Sequence, residues 1–184
     1  GAAWRRLAYD ELLAGQLALA LVRARIRRTT GRPLVGDGKL EAAIRAALPY
    51  SLTGSQETAL DEIHADLASP DRMLRLLQGD VGSGKTVIAL FVLLRAVESG
   101  VQGALMAPTE TLAGQHAETA ARLVGPHARV ELLTAALAAR ERREALTRIE
   151  TGEAAIVIGT HALLQEDVAF SDLGLLVVDE QHRF

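Results

Sequence analysis

The segment Gly79–Thr86, with the sequence GDVGSGKT, is the most informative stretch of this chain. It follows the apolar run Met73–Leu77 and leads into the apolar, helix-like stretch Lys85–Glu98. The pattern G-x-x-x-x-G-K-T is specific when it lies between a strand and a helix, which is the context predicted here. The sequence therefore predicts a glycine-rich loop that joins the end of a strand to the N-terminus of a helix.

The residue types in this loop suit the binding of phosphate oxygens. Glycines allow positive φ angles, several backbone N–H groups can converge on one anion, and the helix N-terminus adds its dipole. Lys85 supplies a positive charge for the β- and γ-phosphates, and the Thr86 hydroxyl can ligate Mg²⁺. We expect a site for ATP and Mg²⁺, the alternative being a glycine-rich turn with a surface lysine. The candidate nucleotide-binding residues of the loop are Gly79, Gly82, Ser83, Gly84, Lys85 and Thr86.

Two acidic residues, Asp179 and Glu180, follow the apolar run Leu175–Val178. A carboxylate at a strand end near a phosphate loop can hold the Mg²⁺ that a loop hydroxyl also contacts, which is the role expected of Asp179. Glu180 can then orient or deprotonate the attacking water, so the reaction would be hydrolysis, with Lys85 completing the catalytic set. Two solvated acids are the alternative. His182 is a candidate nucleotide contact, and a γ-phosphate sensor, a supporting hydrogen bond and simple exposure all remain open for it.

From residue 51 onward, apolar runs alternate with amphipathic segments. Strands are predicted at Met73–Leu77, Ala104–Ala107, Val130–Leu133, Ala155–Ile158 and Leu175–Val178. Helices are predicted at Lys39–Leu48, from the N-cap Thr53 to Leu67, and at Lys85–Glu98, Leu112–Leu123 and Leu137–Ile149. Short apolar strands separated by helices indicate an α/β fold with a mostly parallel sheet covered on both faces. Ligands of such sheets bind at the carboxyl ends of the strands.

The first 50 residues have a different character, and we predict a helical linker over residues 1–50 and a sheet domain over residues 51–184. Trp4–Arg28 has helical periodicity and ends in basic residues. Five arginines between Arg23 and Arg32 have no acidic residue among them. Contact with duplex DNA and a solvated helix end are the two interpretations of this cluster.

The amino-acid composition excludes several classes of protein and of functional site. The 184 residues are 49% apolar and 23% charged with a net charge of −3, which excludes a disordered tail and argues against binding nucleic acid through overall charge. Cysteine is absent, which excludes a thiol nucleophile and cysteine metal sites. No apolar run approaches the roughly 18 residues of a membrane span, so we expect a cytoplasmic protein that does not contact a membrane.

The glycine-rich loop and the acidic strand end together resemble motifs I and II of superfamily 2 helicases. Further segments resemble the bacterial RecG helicases. These matches are Leu77–Thr86, Ala107–Glu110, Leu112-Ala113, Gln115-His116, Gly159–Leu163 and Asp179–Phe184. The transcription-repair coupling translocases are similar to a lesser degree, because they typically have Phe at the position of Ser83 and Glu at the position of Gln181.

The resemblance implies roles that the spacing alone does not. Gln56 would contact the adenine base. The path of one DNA strand would be lined by six residues, namely Pro108, Thr109, Glu110, Gly159, Thr160 and His161. From the residues alone, Pro108-Thr109 is better explained as a helix cap and Thr160 as a turn residue. Ala135 and Ala136 stand where the family usually has Gly and often Ser, so the family's backbone contact to DNA is not expected there.

The resemblance also implies a RecA-like P-loop domain within an ATP-dependent DNA helicase that remodels stalled forks and Holliday junctions in bacterial recombination and repair. A second RecA-like domain and a wedge domain would belong to the same polypeptide. In this superfamily, the strand after the acidic motif lies between the phosphate-loop strand and the acidic strand, so we expect an incomplete sheet and weak or no activity for this chain alone. A P-loop ATPase that does not bind DNA remains an alternative.

Overall fold

The computed structural model describes residues 30–80 and 82–179. The helices are α1 (Lys39–Ala47), α2 (Gly54–Ala68), α3 (Lys85–Glu98), α4 (Glu110–Val124) and α5 (Ala139–Glu150). The strands are β1 (Gln102–Met106), β2 (Val130–Leu133), β3 (Ile156–Gly159) and β4 (Leu173–Val178). Short 3₁₀ helices lie at Gly125–His127 and His161–Leu164.

The four strands form one parallel sheet in the order β2-β3-β1-β4. The register places Gly159 opposite both Leu133 and Met106, and Met106 opposite Val178. The last residues of all four strands therefore lie side by side along one edge of the sheet. This is the edge at which parallel α/β sheets bind ligands.

Both faces of the sheet are buried, as expected for short apolar strands without alternation. Leu105 and Ile158 face a core that also contains apolar residues of α2, α3 and α4. Ala104, Met106 and Val157 face the opposite core, to which α5 contributes Ala145 and Ile149. The predicted α/β architecture with a doubly covered parallel sheet is thus confirmed.

Most element boundaries follow local capping chemistry. α3 spans the predicted residues Lys85–Glu98. Thr53 caps α2, and Gln56 completes the predicted capping box. α4 begins two residues earlier than predicted because the Thr109 side chain accepts a hydrogen bond from Leu112 N at 3.3 Å and so fixes the helix start.

The predicted strand Met73–Leu77 is wrong, because this segment is outside the four-stranded sheet. Met73 and Leu77 pack against the core, whereas Leu74 and Leu76 are 61% and 62% exposed. A strand requires a neighbour for its backbone hydrogen bonds, and in the described part of the chain none of the four strands pairs with this segment. The expectation that the sheet would be incomplete beside the phosphate-loop segment agrees with this arrangement.

The segment before α2 packs on the sheet domain. Leu34 and Ile44 are buried in the same core as α3. The Glu98 carboxylate, at the end of α3, accepts hydrogen bonds from Leu40 N at 2.7 Å and Glu41 N at 3.0 Å in the first turn of α1. The boundary at residue 50 stays a prediction.

Two further sequence predictions concern the region before residue 30. The predicted helix Trp4–Arg28 lies outside the described residues, as do four of the five clustered arginines. The fifth, Arg32, forms an ion pair with Asp172 at 2.5 Å. None of the described helices is long and apolar enough to cross a membrane.

Candidate functional site

The glycine-rich loop has the backbone geometry that its sequence predicts. Gly82 and Gly84 have φ angles of 82° and 85°, a region that favours glycine. Gly84 is the N-cap of α3, so the N-terminal N–H groups of this apolar helix point toward the loop. A Cβ atom on Gly79 would lie 2.5 Å from Ser83 Oγ, so the loop closes on itself without room for a side chain there.

The Lys85 ammonium lies inside this loop. Its Nζ donates hydrogen bonds to the carbonyl oxygens of Gly79 at 2.6 Å and Asp80 at 2.8 Å. These two uncharged carbonyl groups hold the ammonium group of Lys85 within the loop. A negatively charged phosphate oxygen would be a stronger acceptor for this ammonium group, because hydrogen bonds between charged groups are about twice as strong as those between neutral groups. Lys85 is therefore placed where an anion would compete for it.

Gln56 connects the start of α2 to the same loop. Its Oε1 accepts a hydrogen bond from Thr53 N at 2.8 Å, and its Nε2 donates to Ser83 O at 2.8 Å. A Cβ on Gly84 would lie 2.3 Å from Gln56 Nε2, so the glycine at this position makes the close approach possible. The amide that family resemblance assigns to adenine is thus already in contact with the phosphate loop.

Asp179 lies at the end of β4, at the same edge of the sheet. Its backbone N–H donates to Met106 O at 2.8 Å, which continues the β1–β4 pairing by one residue. Its carboxylate Oδ2 lies 2.9 Å from His116 Nε2 on α4. The side chains of His116 and Asp179 are 12% and 26% exposed, so this polar pair is shielded from bulk water. Glu180 and His182 lie outside the described residues.

A cavity of about 320 Å³ is lined by residues of the loop and by His116. Its lining includes Tyr50, Gln56, Gly82, Gly84, Thr86 and His116, together with apolar side chains of α3, α4, β1 and β3. His116, one of these lining residues, also contacts the Asp179 carboxylate. Residues of the glycine-rich loop and the hydrogen-bond partner of Asp179 thus line the same cavity.

The oxygen donors at this site fit Mg²⁺. Thr86 offers a hydroxyl in the first turn of α3, and Asp179 offers a carboxylate at a strand end. In residues 30–80 and 82–179, no three His, Cys, Asp or Glu side chains are grouped to hold a metal ion by themselves. Mg²⁺ is often bound through one or two protein oxygens together with substrate phosphates, a mode that the Thr86 and Asp179 donors suit.

The six residues predicted to line DNA follow two adjacent strands. Pro108, Thr109 and Glu110 come after β1, and Gly159, Thr160 and His161 include the end of β3 and the turn after it. The two groups are joined by a hydrogen bond from Ala107 N to Gly159 O at 2.8 Å. The structure therefore brings these segments together at the carboxyl edge of the sheet.

Three of these six residues have a local structural role. Thr109 caps α4, and the Thr160 hydroxyl accepts a hydrogen bond from Ala162 N at 3.5 Å in the turn after β3. The Glu110 carboxylate accepts a hydrogen bond from Ala136 N at 3.0 Å, which ties the loop after β2 to the start of α4. Capping does not exclude phosphate binding, because the first N–H groups of a helix remain available.

Sequence reasoning gave no role to two residues of this site, His116 and Tyr50. His116 lies on the inward face of α4, beside the buried Ala113 and Ala117, where a polar residue is unusual. A histidine among buried alanines was the available signal. Tyr50 has no such pattern around it, and its place beside Gln56 follows from the turn between α1 and α2.

Comparison with known proteins now identifies the family. The sequence model of the DEAD/DEAH box helicases matches residues 53–184, which is more than half of the chain. The chain belongs to the DEAD/DEAH box helicase family. Helicases of this family use ATP, so the predicted nucleotide is confirmed at the level of the family. The predicted RecA-like fold is confirmed as well.

Relatives within this helicase family support the predicted resemblance to RecG. The ATP-dependent DNA helicase RecG of Streptococcus pneumoniae is 47% identical over 184 residues, covering 99% of this chain and 27% of the relative. RecG of Thermotoga maritima is 44% identical over 180 residues, covering 97% of this chain and 23% of the relative. The chain thus spans about a quarter of the length of these curated relatives.

Two solved helicase structures resemble the fold. A structure of RecG bound to a three-way DNA junction matches with a TM-score of 0.87 and 44% identity, covering 98% of this chain and 25% of that one. The UvsW helicase of bacteriophage T4 matches with a TM-score of 0.56 and 17% identity over 83% of this chain and 53% of that one. At this lower identity, the second match shows the fold alone.

Proposed function

We propose that this chain is the ATP-binding part of an ATP-dependent DNA helicase of the RecG type, which moves along DNA and remodels branched structures such as forks and Holliday junctions. The observation that carries the proposal is the cavity lined both by the glycine-rich loop and by His116, whose ring contacts Asp179. The RecG relatives, named as ATP-dependent DNA helicases, and the RecG complex with a three-way junction support the choice of DNA as partner.

The proposed roles of the site residues follow from their chemistry. Lys85 leaves the carbonyls of Gly79 and Asp80 and contacts the β- and γ-phosphates, where it stabilises the charge that develops during hydrolysis. Thr86 and Asp179 would hold Mg²⁺, which would neutralise phosphate charge when bound. Glu180 orients or deprotonates the attacking water.

The glycines would contribute backbone N–H groups that bind phosphate oxygens, and the Ser83 N–H, which donates to Asp80 O at 3.1 Å, would leave that carbonyl to join them. Gln56 contacts the adenine base while remaining on the capping box of α2. A base contact at this residue would be transmitted directly to the loop through Ser83 O. His182 is proposed as a further nucleotide contact.

The proposed DNA track lies on the loops after β1 and β3. Pro108, Thr109, Gly159, Thr160 and His161 present backbone groups, hydroxyls and the N-terminus of α4, which bind phosphates without reading base sequence. Glu110 takes part by holding the loop at Ala136 in place, since its carboxylate would repel a DNA phosphate.

The proposed helicase activity requires domains beyond the residues of this chain. The RecG relatives are about four times as long as the stretch that matches, and we propose that a second RecA-like domain and a wedge domain lie in the same polypeptide. We expect this chain alone to hydrolyse ATP slowly or not at all. The relatives are bacterial DNA helicases, so we propose the bacterial cytoplasm as the location.

The proposal is tested by removing the loop lysine from the full-length protein. Only two lysines occur in this chain, so Lys39→Ala is a matched control for Lys85→Ala. Lys39 is exposed and pairs with Asp37, away from the loop. We expect forked DNA to stimulate ATP hydrolysis, Lys85→Ala to reduce the stimulated rate about 100-fold or more, and Lys39→Ala to leave it unchanged.

Two outcomes would contradict this proposal. Equal stimulated rates for Lys85→Ala and the unsubstituted protein would remove the loop from the mechanism. Hydrolysis that depends on Lys85 but does not respond to single-stranded or forked DNA would instead favour a P-loop ATPase that does not act on DNA.

A further inference from the structure

The pair formed by His116 and Asp179 contains a residue for which the proposed mechanism has no role. His116 Nε2 lies 2.9 Å from Asp179 Oδ2, and a carboxylate can only accept, so Nε2–H donates. This proposal rests on the proposed function. We propose that His116 is a positioning residue, which fixes the orientation of the Asp179 carboxylate and connects it to the DNA track through α4.

The first part of the proposal follows from how Asp179 is held. The backbone of Asp179 is fixed by its bond to Met106 O, but the carboxylate lies past the last residue of β4 and can rotate about its side-chain torsions. Within residues 30–80 and 82–179, His116 is the residue that donates a hydrogen bond to this carboxylate. A second residue that bonds a metal-binding carboxylate fixes its direction and typically changes metal affinity 10- to 100-fold.

The second part follows from the helix on which His116 lies. The inward face of α4 carries Ala113, Ala117 and Ala120, small residues that let the helix lie close to the sheet. His116 reaches farther than these alanines and contacts the end of β4. The contact therefore joins α4, as a rigid body, to the strand that carries Asp179.

The same helix begins at the proposed DNA track. Thr109 is its N-cap, and Glu110 bonds the loop at Ala136. His116 lies seven residues after Thr109, which is about 10 Å along the helix axis. A displacement of the start of α4 by DNA would move the His116 ring with it, because two helical turns do not bend independently. Thr109, His116 and Asp179 thus form a continuous physical connection between the two proposed sites.

The test compares two amide substitutions that differ in reach. In His116→Gln, the side-chain amide nitrogen can occupy the place of Nε2 and donate to Asp179. In His116→Asn, the amide is one methylene shorter and does not reach. Glu118→Ala, an exposed substitution on the same helix, is the control. The four full-length proteins are compared for the Mg²⁺ concentration that gives half-maximal binding of a fluorescent ADP analogue, for affinity for forked DNA, and for stimulation of ATP hydrolysis by that DNA.

We expect His116→Asn to raise the half-maximal Mg²⁺ concentration about tenfold and to lower the stimulation by DNA, with unchanged affinity for forked DNA. His116→Gln should stay within about threefold of the unsubstituted protein on both measures, and Glu118→Ala should match the unsubstituted protein. Thermal unfolding midpoints of both His116 variants check that they are folded.

The result that overturns the proposal is an Mg²⁺ dependence and a DNA stimulation in His116→Asn equal to those of the unsubstituted protein. Equal defects in His116→Asn and His116→Gln would also overturn it, because packing of the ring would then matter and the hydrogen bond would not. If DNA does not stimulate hydrolysis by the unsubstituted protein while the Mg²⁺ effect persists, the proposed function fails and the positioning of Asp179 stands.

Discussion

The Gln56 side chain donates a hydrogen bond to the carbonyl oxygen of Ser83 at 2.8 Å, so the first turn of α2 is attached to the phosphate loop. The other end of the same amide accepts from Thr53 N and closes the capping box of that helix. One side chain thus stabilises a helix terminus and the loop at once. The two functions can be separated, because they use different atoms of the amide.

Gln56→Glu separates them. A carboxylate still accepts from Thr53 N but faces Ser83 O with an acceptor, so the contact with the loop is lost while the cap remains. We expect helix stability to be retained and the Kd for a nucleotide analogue to rise about tenfold. Gln56→Ala removes both contacts and should also lower the free energy of unfolding by about 1 kcal/mol. Unchanged nucleotide affinity in Gln56→Glu would show that the contact with Ser83 is not needed for binding.

Substitution of Glu110 distinguishes charge from positioning. Gln at this position keeps an oxygen that accepts from Ala136 N and removes the negative charge, whereas Ala releases the loop. We expect Glu110→Gln to bind forked DNA as tightly as the unsubstituted protein or up to about tenfold more tightly at low salt, because a repulsive charge is removed. Glu110→Ala should bind several-fold more weakly. Equal affinities of the two variants in a salt titration would contradict a positioning role.

Two glycine substitutions have opposite expected effects. A Cβ on Gly159 would lie 2.2 Å from Leu133 O, so Gly159→Ala must push β3 away from β2. We expect this substitution to lower the free energy of unfolding by about 2 kcal/mol or more. Gly114 lies within α4 with nothing within 4 Å of an added Cβ, and Gly114→Ala should stabilise the protein by about 1 kcal/mol. Chemical denaturation of the two variants checks both signs, and destabilisation by Gly114→Ala would contradict the helix assignment there.

Local sequence patterns predicted the elements that local chemistry determines. α3, the Thr53–Gln56 capping box and β2 agree with the structure at residue level, because caps and apolar runs act over a few residues. Met73–Leu77 failed because an apolar run does not specify its hydrogen-bonding neighbour, which lies elsewhere in the sequence.

Contacts between residues far apart in the chain could not be predicted from local sequence patterns. His116 and Asp179 are separated by 63 positions, and their contact depends on how α4 packs against the sheet. Gln102 is a second example: a buried glutamine in a strand is unexpected, but its amide donates to the carbonyls of Ile149 at 2.9 Å and Ala154 at 2.8 Å. Such satisfied polar groups depend on the tertiary structure, and composition does not reveal them.

Acid should destabilise the packing of α1 on α2 and α3. Burial lowers the pKa of His64, and Arg95 lowers it further, while Glu41, Asp61 and Glu98 oppose this shift. The unfolded chain, with an ordinary pKa near 6.5, then binds more protons than the folded one, so stability is lost as the pH falls below 6.5 toward the lowered pKa. The thermal unfolding midpoint should therefore decrease between about pH 7 and about pH 5.

His64→Asn is the matched variant for this test. Its side-chain oxygen can accept from the Arg95 guanidinium as the ring Nδ1 does at 3.2 Å, but it does not titrate. The decrease in midpoint with falling pH should be smaller in this variant than in the unsubstituted protein. Identical pH dependence in the two proteins would show that His64 does not control it.

The most direct test of the account is a crystal structure of the full-length protein with Mg²⁺ and a non-hydrolysable ATP analogue. The account predicts that Lys85 Nζ leaves Gly79 O and Asp80 O for the phosphates, and that the ion lies between the Thr86 hydroxyl and the Asp179 carboxylate, with His116 still bonded to Asp179. An analogue bound elsewhere, or a phosphate chain on the loop with Asp179 remote from it, would contradict the account.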